Sequence, residues 1–191
     1  MDDFCRLPSA ERRPYFETAA TNSGLPIGII EKDFWVCWTL KRLFSLHGID
    51  EHLIFKGGTT LSKVYGVIER FSEDIDISID RQVLGFEGVR DPEKTESTKK
   101  QRKLIEELAS ACRQFVTIRL LTDLRDSIGN AMGTMKGWDI VVDDNDPDGQ
   151  TLLFHYPIVE TTNEAYIRPS VKIEMGARSD HWPAHEHSVT P

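Results

Sequence analysis

Residues 74–79 read DIDISI, so that Asp74, Asp76 and Ser78 alternate with Ile75, Ile77 and Ile79. A strict period of two predicts a strand with one apolar and one acidic face. Just upstream, Leu53-Ile54-Phe55-Lys56 is a short apolar run that stops at Gly57-Gly58. It gives way to TTLSKVYGVIERF, where Leu61, Val64, Tyr65 and Ile68 fall at i, i+3, i+4 and i+7. These patterns predict a strand, a tight turn, a helix and a second strand. Two helices are predicted before them. One runs from Ser9, as N-cap, to about Asn22, with Gly24 beyond its end. The other spans about Pro26 to His47, with Ile30, Phe34, Trp38 and Phe44 near helical spacing as core residues. Downstream, about Thr95 to Ser127 predicts one long helix or two joined ones. The remainder is strand-like: WDIVV, a DDNDPDG turn, TLLFHYPIVE and AYIRPSVKIEMGA. In VKIEM, Lys172 and Glu174 share one face while Val171, Ile173 and Met175 share the other. This order predicts an α+β or mixed-sheet α/β class.

The chain of 191 residues has room for one domain with a sizeable core. The expected layout is a single domain over 1–191, with N-terminal helices at about 8–47 and a core at about 51–180. No stretch approaches the roughly eighteen consecutive apolar residues of a membrane span, and the start has no apolar signal core. The three cysteines, Cys5, Cys37 and Cys112, are far apart and odd in number, and are expected to be reduced thiols of a cytoplasmic protein. A net charge of −8 disfavours a protein that coats polyanions, so any nucleic-acid contact must be local. Charge is segregated: Lys94 to Arg125 holds eight basic and four acidic residues, whereas Asp139 to Gln150 holds five Asp and no basic residue.

Two constellations carry candidate chemistry. At Lys56-Gly57-Gly58-Thr59-Thr60, adjacent glycines at a strand-to-helix junction let backbone approach a bulky anion. The helix N-terminus supplies N–H donors, and the Thr hydroxyls, Lys56 and Lys63 add more. It is a candidate phosphate cradle, but not a Walker loop, since no Gly-Lys-Ser/Thr follows at the required spacing. The second constellation is Asp74 and Asp76, which a strand places on one side about 6.6 Å apart. Their carboxylates can converge on a hard cation such as Mg²⁺. A third carboxylate on a neighbouring strand would complete a two-metal site. Glu174, on its alternating strand beside Lys172, is the first candidate, and Asp139 at the start of WDIVV is the competitor.

KGGTTLSKVYGVIERFSEDIDISI resembles the signature of the nucleotidyltransferase superfamily, and more narrowly that of the AbiEii/AbiGii toxin family. The segments IIEKDFWVCWTLKRLF and IRPSVKIEMGARSDHWP resemble the flanks of that family. The resemblance implies a polymerase-beta-like nucleotidyltransferase fold with a mixed sheet flanked by helices, and dependence on Mg²⁺ or Mn²⁺. It implies transfer of a nucleotide from an NTP to an acceptor such as tRNA, and a cognate antitoxin as partner. Carried over by motif, Gly57, Gly58 and Thr59 line the triphosphate site with Lys63 nearby. Asp74 and Asp76 are metal ligands, Glu174 is the third carboxylate and a candidate base, and Arg70 and Ser72 fall beside the phosphates. Lys56, Thr60 and Lys172 complete the expected nucleotide-binding set. The family's C-terminal helical region is not matched before Pro191. A shortened, inactive nucleotide-binding or interaction module is therefore the alternative expectation.

Three weaker signals have ordinary explanations. Lys99-Lys100-Gln101-Arg102-Lys103 can touch an RNA backbone or simply be the wet face of a helix. His181, His185 and His187 have a spacing open to transition metals but sit in a polar terminal run. The DDNDPDG segment lacks the spacing of a Ca²⁺ loop and is expected to be a solvated hairpin turn.

Overall fold

Among the described residues the apolar faces predicted from periodicity meet in one core, in which Ile75, Ile79, Val171, Ile173, Leu152 and Phe154 are fully enclosed together with Trp35, Trp38 and Leu43. The computed structural model describes residues 1–57, 74–159 and 168–178. Strands β1 (Leu53–Lys56), β2 (Asp74–Ile79), β3 (Asp139–Val142), β4 (Thr151–His155) and β5 (Ser170–Gly176) form one mixed sheet in the order β1-β2-β5-β4-β3. Among the described strands the β2–β5 pair is parallel, and β1–β2, β5–β4 and β4–β3 are antiparallel. The two strands that carry the candidate carboxylates therefore lie side by side at the centre of the sheet.

Helix α1 (Asp2–Cys5) was not evident from periodicity because it has only four residues. Asp2 fixes it by accepting from Trp38 Nε1 at 3.0 Å and from Lys41 and Arg42 at 3.1 and 3.2 Å. Helix α2 (Ser9–Ser23) starts after Pro8, which takes the N-cap position expected for Ser9; Ser9 Oγ instead accepts from Arg12. Gly24 closes α2 in the left-handed conformation at φ 72°. Helix α3 (Ile27–Leu43) ends four residues before the expected boundary at His47, so Phe44 lies past its end and is 37% exposed rather than core. Phe34, Trp35 and Trp38 are buried, and Trp35 stacks on Tyr156 with ring centroids 5.4 Å apart.

The long helical region resolves into α4 (Thr98–Gln114), a π-helical segment at Phe115–Leu120, and α5 (Leu121–Met132). Ser97 caps α4 by accepting from Lys100 N. Leu104, Leu108 and Cys112 form the buried stripe of α4, which leaves Lys99, Lys100, Arg102 and Lys103 in solvent. Cys5, Cys37 and Cys112 are buried and form no disulfide. Among the described residues no helix is long and apolar enough to cross a membrane.

Candidate active site

The alternation in β2 and β5 forces Asp74 and Asp76, with Lys172 and Glu174, onto the sheet face opposite the core. Interstrand register then decides which of them meet. Asp76 is the direct partner of Glu174, and Asp74 the partner of Lys172. On the other side of β2, Asp76 pairs with Lys56 of β1. Three carboxylates and two ammonium groups thus occupy adjacent positions on three neighbouring strands. Lys172 Nζ donates to Glu174 Oε1.

Gly57 follows Lys56 with φ 76°. A Cβ built there would overlap the Asp76 carboxylate, so glycine is needed both for the backbone conformation and for the close approach. The turn and the aspartate are therefore in direct apposition. Burial, then the charge of Glu174 and a hydrogen bond shared with it, then Asp74, push Asp76 above the ordinary carboxylate range; Lys172 opposes this. The hydrogen bond to Glu174 holds the Lys172 ammonium above the usual lysine range, against partial burial.

Chemically the donor set suits a hard divalent cation: carboxylate oxygens on one rigid face, whose mutual repulsion a bound cation would relieve. Among the described residues, no three His, Cys, Asp or Glu side chains close on a common point. Glu174 is drawn onto Lys172, so a cation joining all three carboxylates would compete with that ion pair.

The competing third carboxylate, Asp139, is on β3 at the far edge of the sheet, separated from β5 by β4. It accepts from its own strand at Ile140 N and from Arg125. Of the two candidates, Glu174 is the one brought beside Asp76. Gly58, Thr59, Thr60, Lys63, Arg70 and Ser72 lie outside the described residues, as do the apolar stripe Leu61–Ile68 and His181, His185 and His187.

A cavity of about 370 Å³ opens on this face, lined by Lys56, Asp76 and Glu174 and also by Ser78, Asp148 and Arg178. The last three were not singled out by sequence. Asp148 belongs to the acidic turn, where the run of Asp reads as solvation until the β3–β4 hairpin is folded back beside β5.

Residues 38–191, well over half of the chain, match the sequence model of the family described as nucleotidyl transferase AbiEii toxin, type IV TA system. The chain belongs to this AbiEii toxin family. Membership makes it a nucleotidyltransferase-family protein of a type IV toxin–antitoxin system and implies a cognate antitoxin. No curated protein and no solved structure matches it. The match begins inside α3 and takes in every strand, so Lys56, Gly57, Asp74, Asp76, Lys172 and Glu174 all fall within the AbiEii region.

Proposed function

We propose that the protein is a cation-dependent nucleotidyltransferase of polymerase-beta-like fold that moves a nucleotide from an NTP to an RNA acceptor such as tRNA, as the toxin of its toxin–antitoxin pair in the cytoplasm. One observation carries the proposal: the Gly57 bend abuts Asp76, and Asp76 pairs with Glu174 across β2 and β5. A phosphate-approaching turn and a set of hard oxygen donors thus adjoin each other, as a chelated polyphosphate requires.

In this proposal Asp74, Asp76 and Glu174 hold Mg²⁺ or Mn²⁺, which neutralises charge developing on the phosphates when bound. Gly57, with Gly58, Thr59, Thr60, Lys63, Arg70 and Ser72, surrounds the triphosphate, and Lys56 faces it from β1. The acceptor hydroxyl oxygen bonds to the α-phosphorus while the bond to the β-phosphate oxygen breaks and pyrophosphate leaves. Glu174 takes the hydroxyl proton, and Lys172 orients Glu174 and offsets its charge.

Purified protein incubated with each labelled NTP, Mg²⁺ or Mn²⁺ and total RNA tests this. Label is expected on RNA with the wild type. Loss of roughly 10²- to 10⁴-fold is expected for Glu174→Gln and loss to background for Asp76→Asn. Binding of NTP without transfer under either cation would instead identify an inert nucleotide-binding module.

A further inference from the structure

Arg178 lines the cavity yet has no part in the proposed chemistry. It comes two residues after the end of β5 and continues the alternation of that strand. Met175 and Ala177 are buried, Glu174 and Gly176 half-buried, and Arg178 is exposed. The other cation on this flank of β5, Lys172, is taken up by Glu174, to which it donates. Among the described residues Arg178 donates no hydrogen bond and makes no ion pair. Between Arg178 and Glu174 along the polar flank lies Gly176, where an added Cβ would meet one atom, Gln150 Oε1 at 3.9 Å. No side chain at that position screens the guanidinium from the carboxylates.

Strand direction sets Arg178 and the glycine bend at opposite ends of the site. β1 is antiparallel to β2, and β2 is parallel to β5. Gly57 follows the last residue of β1, which brings it toward the start of β2. Arg178 follows the last residue of β5, which carries it past the level of Ser78. The Asp76–Glu174 pair lies between them. Along the sheet the order is glycine bend, carboxylates, arginine.

That order has a chemical consequence. In-line displacement at phosphorus puts the attacking and leaving oxygens on opposite sides. With the β- and γ-phosphates at the Gly57 bend, pyrophosphate leaves toward that end, and the acceptor hydroxyl arrives from the other, past Arg178. An RNA acceptor brings with it the phosphodiester that joins its last nucleotide. Apart from Lys56 on β1 and Arg178 itself, the charged residues lining the cavity are Asp76, Asp148 and Glu174, in a chain of net charge −8. A polyanion is repelled from such a surface unless a cation receives it. A guanidinium stays charged throughout the working pH range, and its planar fork of donors matches two oxygens of a phosphate.

We propose that Arg178 is an acceptor-binding residue: its guanidinium holds the terminal phosphodiester of the RNA and so sets the hydroxyl in line with the α-phosphorus. The inference rests on the proposed transfer reaction and adds to it the end of the cavity from which the RNA enters. In this assignment Arg178 touches neither the NTP nor the cation.

The full chain is compared as wild type, Arg178→Ala and Arg178→Lys. Arg178 is exposed, so the variants are expected to fold, which circular dichroism checks. Transfer from each of the four labelled NTPs is measured against rising total RNA at several salt concentrations, and NTP affinity by calorimetry without RNA, all with Mg²⁺. Arg178→Ala is expected to raise KM for RNA about tenfold and to flatten its salt dependence by about one phosphate contact, with NTP affinity as in wild type. Arg178→Lys, which keeps the charge and loses the fork, is expected to recover part of that loss. A fall in NTP affinity, with or without a change in KM for RNA, would assign Arg178 to the nucleotide and overturn the proposal. It is equally overturned if only the rate at saturating RNA falls, or if nothing changes. In each of these cases wild type still labels RNA, so the transfer reaction stands. If wild type neither binds an NTP nor labels RNA with Mg²⁺ or Mn²⁺, the transfer reaction falls and the acceptor assignment with it.

Discussion

Asp76 is the residue at which the demands of folding and of the proposed chemistry diverge. Its value in the folded state stands above the unfolded one, through burial first and then the Glu174 charge. The native state therefore keeps a proton that the unfolded chain has released. The stability this contributes is complete below the ordinary carboxylate range and is lost as pH rises through the raised value. Asp76→Asn is expected to remove this loss, raising Tm at neutral pH by about 2–4 °C, which corresponds to ~1 kcal/mol, while abolishing transfer. A Tm equal to or below wild type, measured by thermal unfolding without divalent cation, would show that ionised Asp76 does not burden the fold. At Gly57 both effects act in the same direction. Gly57→Ala places a side chain at φ 76° and into the Asp76 carboxylate, and should cost about 1–2 kcal/mol for the backbone alone. NTP affinity should fall with it; an alanine variant of unchanged Tm and affinity would contradict the apposition.

Among the elements, the β3–β4 hairpin turn is the one whose role changed most on folding. Five Asp in twelve residues predict a solvated turn, and the hairpin is there, but Arg113 grips its carbonyls and makes it a wall of the cavity. Arg113→Ala should free the turn. Amide exchange at Asn145, Asp148 and Gln150, whose N–H groups donate to Asp143 and Asp146, is expected to quicken about tenfold, for ~1.4 kcal/mol of local stability. Unchanged exchange would mean that the Asp side chains alone hold the turn. Helix α3 shows a second element-level device. Glu31, 4% exposed, accepts from Val159 N at 3.0 and 3.2 Å, while Arg12, 1% exposed, donates to the Pro157 carbonyl at 2.7 Å. The two side chains fasten the chain leaving β4 to the N-terminal helices. Glu31→Ala removes the acceptor of the Val159 N–H and the negative charge that favours the Arg12 guanidinium, and should destabilise by about 1–3 kcal/mol, read as a drop in the urea midpoint at constant m. A loss below ~1 kcal/mol would show that the Val159 N–H finds another acceptor.

Across the whole molecule, the candidate site is rigid because its back is the core. Ile75 and Ile173 are register partners between the positions that carry Asp74, Asp76, Lys172 and Glu174, and both are fully buried. Ile173→Ala should cost about 2–5 kcal/mol in equilibrium unfolding and lower the temperature at which activity is lost. A near-neutral result would mean that β5 is held by its ladder hydrogen bonds instead. The sequence alone determined β1 and β2 to the residue, the acidic and apolar faces of β2 and β5, and the glycine bend, because each follows from a backbone period or a single permissive residue. It also yielded the resemblance to the AbiEii family. The irregular helix at Phe115–Leu120, the short α1 and the early end of α3 carry no periodic signal of their own. Only the tertiary structure decided that β5 lies parallel beside β2 with Glu174 opposite Asp76, that Asp139 is left at the sheet edge, and that the acidic turn closes the cavity. Those choices depend on which distant apolar faces can be buried together, and local spacing does not encode that.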